Sequence, residues 1–208
     1  MAESSHQQQS PDGASLGRRN FIRQSVVSLG VTVQEYIKHS DAPVEAKKAA
    51  TITERTDWLR PPGAVEEADF LDRCTKCGDC VTACPFDAIR SHRIDQTPVI
   101  LPEESPCQLC EDFPCIDACE TEALLPVSQV ADVDMGIAKL SSQECTAAHG
   151  CNACVSKCPQ QAIDMNFSMF QISVLDDHCV GCGICQQICK AVNDRVAIKV
   201  VPARMLLR

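Results

Sequence analysis

Residues 74–85 read C-T-K-C-G-D-C-V-T-A-C-P, which places Cys74, Cys77, Cys80 and Cys84 in a C-x2-C-x2-C-x3-C spacing closed by Pro85. Three further groups of four follow. Cys107, Cys110, Cys115 and Cys119 are spaced C-x2-C-x4-C-x3-C. Cys145, Cys151, Cys154 and Cys158 are spaced C-x5-C-x2-C-x3-C, with Pro159 behind them. Cys179, Cys182, Cys185 and Cys189 return to the first spacing. All 16 cysteines are used and no thiol is left over. A C-x2-C-x2-C loop curls so that three thiolates face one cubane, with backbone N–H groups aimed at the sulfurs. The fourth cysteine, three residues on, serves the cluster of another motif. That geometry places the fourth cysteine at the start of a helix, and Pro85 and Pro159 suit a first helical turn, where a missing N–H costs nothing. Four motifs predict four [4Fe–4S] clusters.

Other uses of cysteine fit the spacing poorly. Zinc sites pair two C-x2-C units across a spacer, whereas each group here falls within 11 to 14 residues. A disulfide scaffold suits the cysteine density, but cysteines this close along the chain are poor candidates for four repeated bridges. Buried unligated thiols do not explain a four-fold repeat.

The repeat extends past the cysteines. A small residue and an aliphatic one follow the last cysteine of each motif: Ala88-Ile89, Ala123-Leu124, Ala162-Ile163 and, after four extra residues, Ala197-Ile198. Gly136 to Leu140 and Phe170 to Leu175 read as strands ahead of the third and fourth motifs. The fold class is therefore α+β: two bacterial-ferredoxin-like two-cluster modules, loop-rich, with the clusters as their core. One Trp, one Tyr and six Phe in 208 residues leave the ordinary apolar core thin. Glu120 and Lys190 stand where proline follows Cys84 and Cys158, and are read as solvated charges. His149 and His178 lie beside ligands and are read as surface residues.

A formal net charge of −9 provides no basic stripe for nucleic acid. No run approaches the 18 apolar residues that a membrane-spanning helix needs. G-x-S-x-G, H-E-x-x-H and Gly-rich phosphate loops are absent, so no catalytic chemistry is expected.

The N-terminal part reads as an address. Polar residues 1–15 precede Arg18-Arg19-Asn20-Phe21-Ile22-Arg23, the twin-arginine pattern with Gly17 in place of the usual Ser or Thr. A short apolar stretch, Val26 to Val33, follows. Ser40-Asp41-Ala42 and Val44-Glu45-Ala46 have the small-x-small form of a cleavage site. Clusters are assembled on thiolates in a reducing compartment, so a cluster protein must be exported already folded, which is what the twin-arginine translocase does. The expected organisation is a signal region over 1–46, a linker over 47–64 ending in Pro61-Pro62-Gly63, a cluster domain over 65–202 and a tail over 203–208.

R-P-P-G-A at 60–64, D-F-L-x-x-C-x-x-C-G-x-C at 69–80 and P-C-x-x-C-E-D-x-P-C at 106–115 resemble the MauM/NapG family of periplasmic ferredoxin-type proteins. So do Met135-Gly136-Ile137-Ala138 and Ala197-Ile198-Lys199-Val200. The resemblance implies electron transfer in the periplasm beside a polytopic iron–sulfur membrane partner that oxidises quinol. It also implies c-type cytochromes downstream, serving a nitrate reductase or an amine dehydrogenase. Four-cluster subunits of similar pattern pair their motifs in a nested way, first with fourth and second with third. By that resemblance Cys189 joins Cys74, Cys77 and Cys80, and Cys84 joins Cys179, Cys182 and Cys185. Cys158 then joins Cys107, Cys110 and Cys115, and Cys119 joins Cys145, Cys151 and Cys154. Sequential pairing, first motif with second, stays open. Two alternatives stand beside the electron-carrier reading. One is the iron–sulfur subunit of a molybdenum oxidoreductase, against which an N-terminal signal of its own speaks. The other is a cytoplasmic maturation factor for an iron–sulfur enzyme.

Overall fold

Residues 56–206 are described by a computed structural model. The signal region, the twin-arginine stretch and residues 47–55 of the expected linker lie outside the described residues. The described chain belongs to one unit, Glu54–Arg208, and is α+β and loop-rich, in two halves that repeat one plan.

In the first half, α1 (Glu67–Arg73) leads into the first cysteine loop and α2 (Asp79–Ala83) closes it. Strands β1 (Ile89–Ser91) and β2 (Pro98–Ile100) then form an antiparallel hairpin that brings the second motif, with α3 (Pro114–Asp117), back onto the first. The second half runs β3 (Gly136–Leu140), α4 (Ala153–Lys157), the hairpin β4 (Ile163–Asn166) and β5 (Gln171–Val174), α5 (Ile184–Val192) and β6 (Ile198–Pro202). Strands β3 and β6 pair antiparallel from Gly136↔Pro202 to Leu140↔Ile198 and so join the two ends of this half.

The first half closes by a shorter version of the same ladder. Ala64 bridges Leu124, the Leu125 N–H donates to the Gly63 carbonyl at 2.7 Å, and Val65 N–H donates to Ala123 O at 3.2 Å. Ser141 N–H makes the corresponding bond to Ala197 O at 2.8 Å.

Strand burial follows the two-residue alternation of side chains across a sheet. In β4, Ile163 and Met165 are buried while Asp164 and Asn166 are exposed. In β6, Ile198 and Val200 are buried and Lys199 is exposed. Helices of four to nine residues cannot stand alone in water; they hold because one face is packed against the cysteine loops.

Three expectations change. The fourth cysteine of a motif lies at or near the C-terminal end of a helix rather than at its start: Cys84 caps α2, Cys158 caps α4, Cys119 follows the α3 cap, and Cys189 lies in the second half of α5. The third and fourth cysteines of a motif are four residues apart, one helical turn, so a short helix carries both and the chain turns after it. Pro85 and Pro159 accordingly stop a helix, whereas Pro114, not singled out from sequence, takes the first helical position of α3. The third change concerns the lead. Leu59 exchanges hydrogen bonds with Ile100, at 2.9 and 2.8 Å, and Leu59, Arg60, Pro61 and Pro62 are buried. Residues 59–64 are therefore part of the domain wall and not the end of a linker.

Candidate iron–sulfur sites

The loops and hairpins gather the sixteen cysteines around four cavities. Site 1 is walled by Cys74, Cys77, Cys80 and Cys119. Site 2 is walled by Cys84, Cys107, Cys110 and Cys115. Site 3 is walled by Cys158, Cys179, Cys182 and Cys185, and site 4 by Cys145, Cys151, Cys154 and Cys189. In every case three cysteines come from one motif and the fourth from its sequence neighbour.

The pairing is thus sequential, and the nested pairing is corrected. The reason is chain geometry. The β1–β2 hairpin returns the second motif to the first, and the β4–β5 hairpin returns the fourth to the third. Each exchange closes a short loop, which carries a lower entropic cost than bringing the first and fourth motifs together.

The Ala-aliphatic pairs complete each cavity. Ala88-Ile89 line site 2 with Cys84, Ala123-Leu124 line site 1 with Cys119, Ala162-Ile163 line site 3 with Cys158, and Ala197-Ile198 line site 4 with Cys189. The alanine also supplies a donor. The N–H groups of Ala88, Ala162 and Ala197 each point to the sulfur of their own motif's fourth cysteine at 3.3 Å. All eight residues are buried, so the repeat read from sequence is a cavity wall and a sulfur hydrogen bond in one unit.

The donor set suits a multi-atom cluster better than one ion. Among the described residues, no three Cys, His, Asp or Glu side chains converge on a point able to hold a single metal ion. Tetrahedral zinc, with sulfur at about 2.3 Å, requires such convergence; here the thiols ring a space instead. The thiols also disfavour deprotonation by themselves. Burial, helped by Cys77, Cys119 and Cys74, pushes Cys80 up to about 12. Burial likewise raises Cys107 and Cys115 to about 12 and Cys154 and Cys182 to about 11, and raises Cys185 further. Four thiols around one cavity repel one another as thiolates, and a cationic iron core removes that repulsion.

Two sulfurs differ. At Cys119 burial pushes upward, but the N–H of Leu124, the Thr121 hydroxyl and the N–H groups of Thr121 and Ala123 outweigh it and lower the pKa. Cys151 is lowered by the Ala153 N–H against burial, with Thr146 and Asn193 adding to it. Asn193 was not singled out from sequence. It lies in the four extra residues before Ala197, its Nδ2 stands 3.7 Å from Cys189 Sγ and 4.0 Å from Cys151 Sγ, and Thr146 Oγ1 donates to its Oδ1 at 2.7 Å. The insertion after the fourth motif was the signal available for it. Phe70 and Pro98, which wall site 1, were missed as well. His149 and His178 are exposed, as expected. Lys190 is exposed, as expected, and its Nζ stands 3.5 Å from Glu103 Oε1.

Consecutive sites adjoin one another. Cys115 of site 2 is raised partly by Cys80 of site 1, and Cys185 of site 3 partly by Cys154 of site 4. In the middle, Cys107 N–H donates to Cys182 O at 3.1 Å, joining the backbones of site 2 and site 3. Cys77 of site 1 is the one cysteine of the sixteen that is exposed.

Residues 70–90 match the 4Fe-4S binding domain, and residues 144–192 match the 4Fe-4S dicluster domain. The dicluster stretch holds the third and fourth motifs together, in keeping with their shared cavities. The ferredoxin-type protein NapG of Escherichia coli (strain K12) is 33% identical over 210 residues, 89% of this chain and 86% of that relative. The methylamine utilization ferredoxin-type protein MauM of Methylorubrum extorquens is 35% identical over 205 residues, 90% of each chain. MauM of Paracoccus denitrificans is 39% identical over 162 residues, 69% of this chain and 71% of the relative. No solved structure matches the chain.

Proposed function

The chain belongs to the family of NapG and MauM ferredoxin-type proteins, and from that premise we propose that it is an electron carrier that binds four [4Fe–4S] clusters on its sixteen cysteines and conducts electrons singly in the periplasm. A bound cluster supplies a one-electron couple whose potential is set by sulfur hydrogen bonds and solvent exposure. The chain's own part is to hold and tune. Thiolates of sites 1 to 4 serve as ligands in the sequential sets above, and the alanine N–H groups donate to the fourth cysteine of each motif. Buried Ile89, Leu124, Ile163 and Ile198 keep water from the cavity walls.

The observation that carries this reading is the set of four like cavities, each with four thiols. The order site 1, 2, 3, 4 makes sites 1 and 4 the points of exchange with partners. Exposed Cys77 supports site 1 as one of them. We take the partners to be a membrane-bound polytopic iron–sulfur protein that oxidises quinol, and a c-type cytochrome or periplasmic reductase or dehydrogenase. No helix of the described residues is long and apolar enough to cross a membrane. Membrane association is assigned to contact with the first of these partners. Export is assigned to the twin-arginine translocase, reading Arg18 and Arg19.

Anaerobically purified protein is expected to hold about sixteen irons and about sixteen acid-labile sulfides, four of each per cluster, with visible absorption that bleaches on reduction. A colourless, zinc-filled protein would sink the proposal. Replacing Arg18 and Arg19 together by Lys keeps the charge but removes the guanidinium pair, and is expected to leave cluster-loaded protein in the cytoplasm. Arrival of that variant in the periplasm would overturn the assigned route.

A further inference from the structure

Arg60, the arginine of the R-P-P-G-A lead, is buried, with 8% of its side chain exposed. Its guanidinium is held from every side. Nε and Nη2 donate to the two carboxylate oxygens of Glu67 at 3.0 and 2.5 Å. Nη1 donates to Thr97 Oγ1 at 2.7 Å and to Pro98 O at 3.0 Å. The rings of Trp58 and Phe70 both lie against it, each centroid 4.4 Å from Cζ. Two of these partners, Phe70 and Pro98, are themselves walls of site 1. One aromatic ring therefore separates a fixed positive charge from the cavity of Cys74, Cys77, Cys80 and Cys119. Glu67 is not among the lining residues of site 1, and its side chain is 28% exposed, so water screens it more than it screens Arg60.

We propose that Arg60 is a positioning and charge-setting residue for site 1, raising the reduction potential of the group held there above what its four cysteines alone would set. A [4Fe–4S] core with four thiolates carries net charge of about −2, and reduction takes it to about −3. A buried cation behind Phe70 stabilises the more negative state, and the Glu67 carboxylate opposes it from the outer side. The contacts of Trp58, Arg60 and Phe70 also fix the ring that walls the site, and Arg204 Cζ stands 3.3 Å from the Trp58 ring centroid. The proposal rests on the iron–sulfur reading above.

Potentiometric titration followed by paramagnetic resonance tests it, with the site 1 signal identified as the one lost in Cys77→Ala. Arg60→Met is expected to lower the midpoint of site 1 and leave the other three unmoved. Glu67→Gln is expected to raise the same midpoint, and Arg60→Lys to hold it near the wild-type value. The opposite signs separate charge from packing, because a purely structural clamp would lose site 1 iron in Arg60→Met and Glu67→Gln alike. That joint loss, an unmoved site 1 midpoint, or an equal shift at all four sites would overturn the proposal. If Arg60→Met does not fold, a Glu67→Gln midpoint that stays or falls decides against it. Absence of any [4Fe–4S] signal in the unmodified protein is a separate result, and it would remove the iron–sulfur reading itself.

Discussion

At the scale of single residues, the fourth cysteine of each motif decides the wiring. Cys84 stands with Cys107, Cys110 and Cys115, and Cys119 with Cys74, Cys77 and Cys80. Cys84→Ala is expected to convert site 2 to a three-iron or labile form while the signal of site 1 persists; damage at Cys179, Cys182 and Cys185 instead would restore nested pairing. A finer effect belongs to Asn193, whose amide faces the sulfurs of Cys189 and Cys151. Hydrogen bonds to ligand sulfur stabilise the more negative reduced state. Asn193→Ala is therefore expected to lower the midpoint of site 4 alone, and a redox titration showing it unchanged would remove Asn193 as a tuning group. Nothing in the cysteine spacing announces this residue. Its only trace is the longer gap between Cys189 and Ala197, and a gap has no direction until the fold shows which way the amide points.

At the scale of elements, hairpins and short helices do the positioning. In the β1–β2 turn the Asp95 carboxylate accepts from Thr97 N–H at 3.0 Å and Thr97 Oγ1 at 2.7 Å. Burial works against it, yet the Thr97 bonds and His92 hold the Asp95 carboxyl down at about 2. The lead over 59–64 matters as much as the hairpin it pairs with, because Leu59 and Ile100 are both fully buried. Leu59→Ala is expected to cost about 2–5 kcal/mol, the range for truncating a buried leucine, read as a lower denaturation midpoint of the cluster-loaded protein. A change within about 0.5 kcal/mol, as at an ordinary surface position, would return the segment to a linker. Gly136 to Leu140 was read as a strand and forms one, paired with β6 along its whole length. The lead was not read as part of the domain, because two prolines and a glycine look the same in a linker and in a wall.

At the scale of the whole molecule, the join between halves sets whether four sites act as one row. Gly183 has φ of +90°, and a Cβ there would overlap Pro102. Gly78, the matching position of the first motif, has φ of +84° with open space around it. Gly78→Ala thus carries the left-handed backbone cost, roughly 1–2 kcal/mol, whereas Gly183→Ala adds a wedge between the halves. Electron exchange between sites 2 and 3 is expected to slow in Gly183→Ala and not in Gly78→Ala, measured by magnetic coupling of the two clusters. Equal behaviour of the two variants would mean that Pro102 and Gly183 do not hold the crossing.

The sequence by itself determined the chemistry: sixteen cysteines in four short runs, each followed by a small-aliphatic pair, admit little besides iron–sulfur ligation, because ligand type and spacing along a few residues are local properties. It also carried the α+β repeat. Tertiary structure alone decided which motifs share a cavity, since C-x2-C-x2-C-x3-C is equally compatible with either partner and the choice is made where hairpins fold back. It alone placed Arg60 behind Phe70 and Cys107 against Cys182, contacts between residues 10 and 75 positions apart that no local pattern encodes.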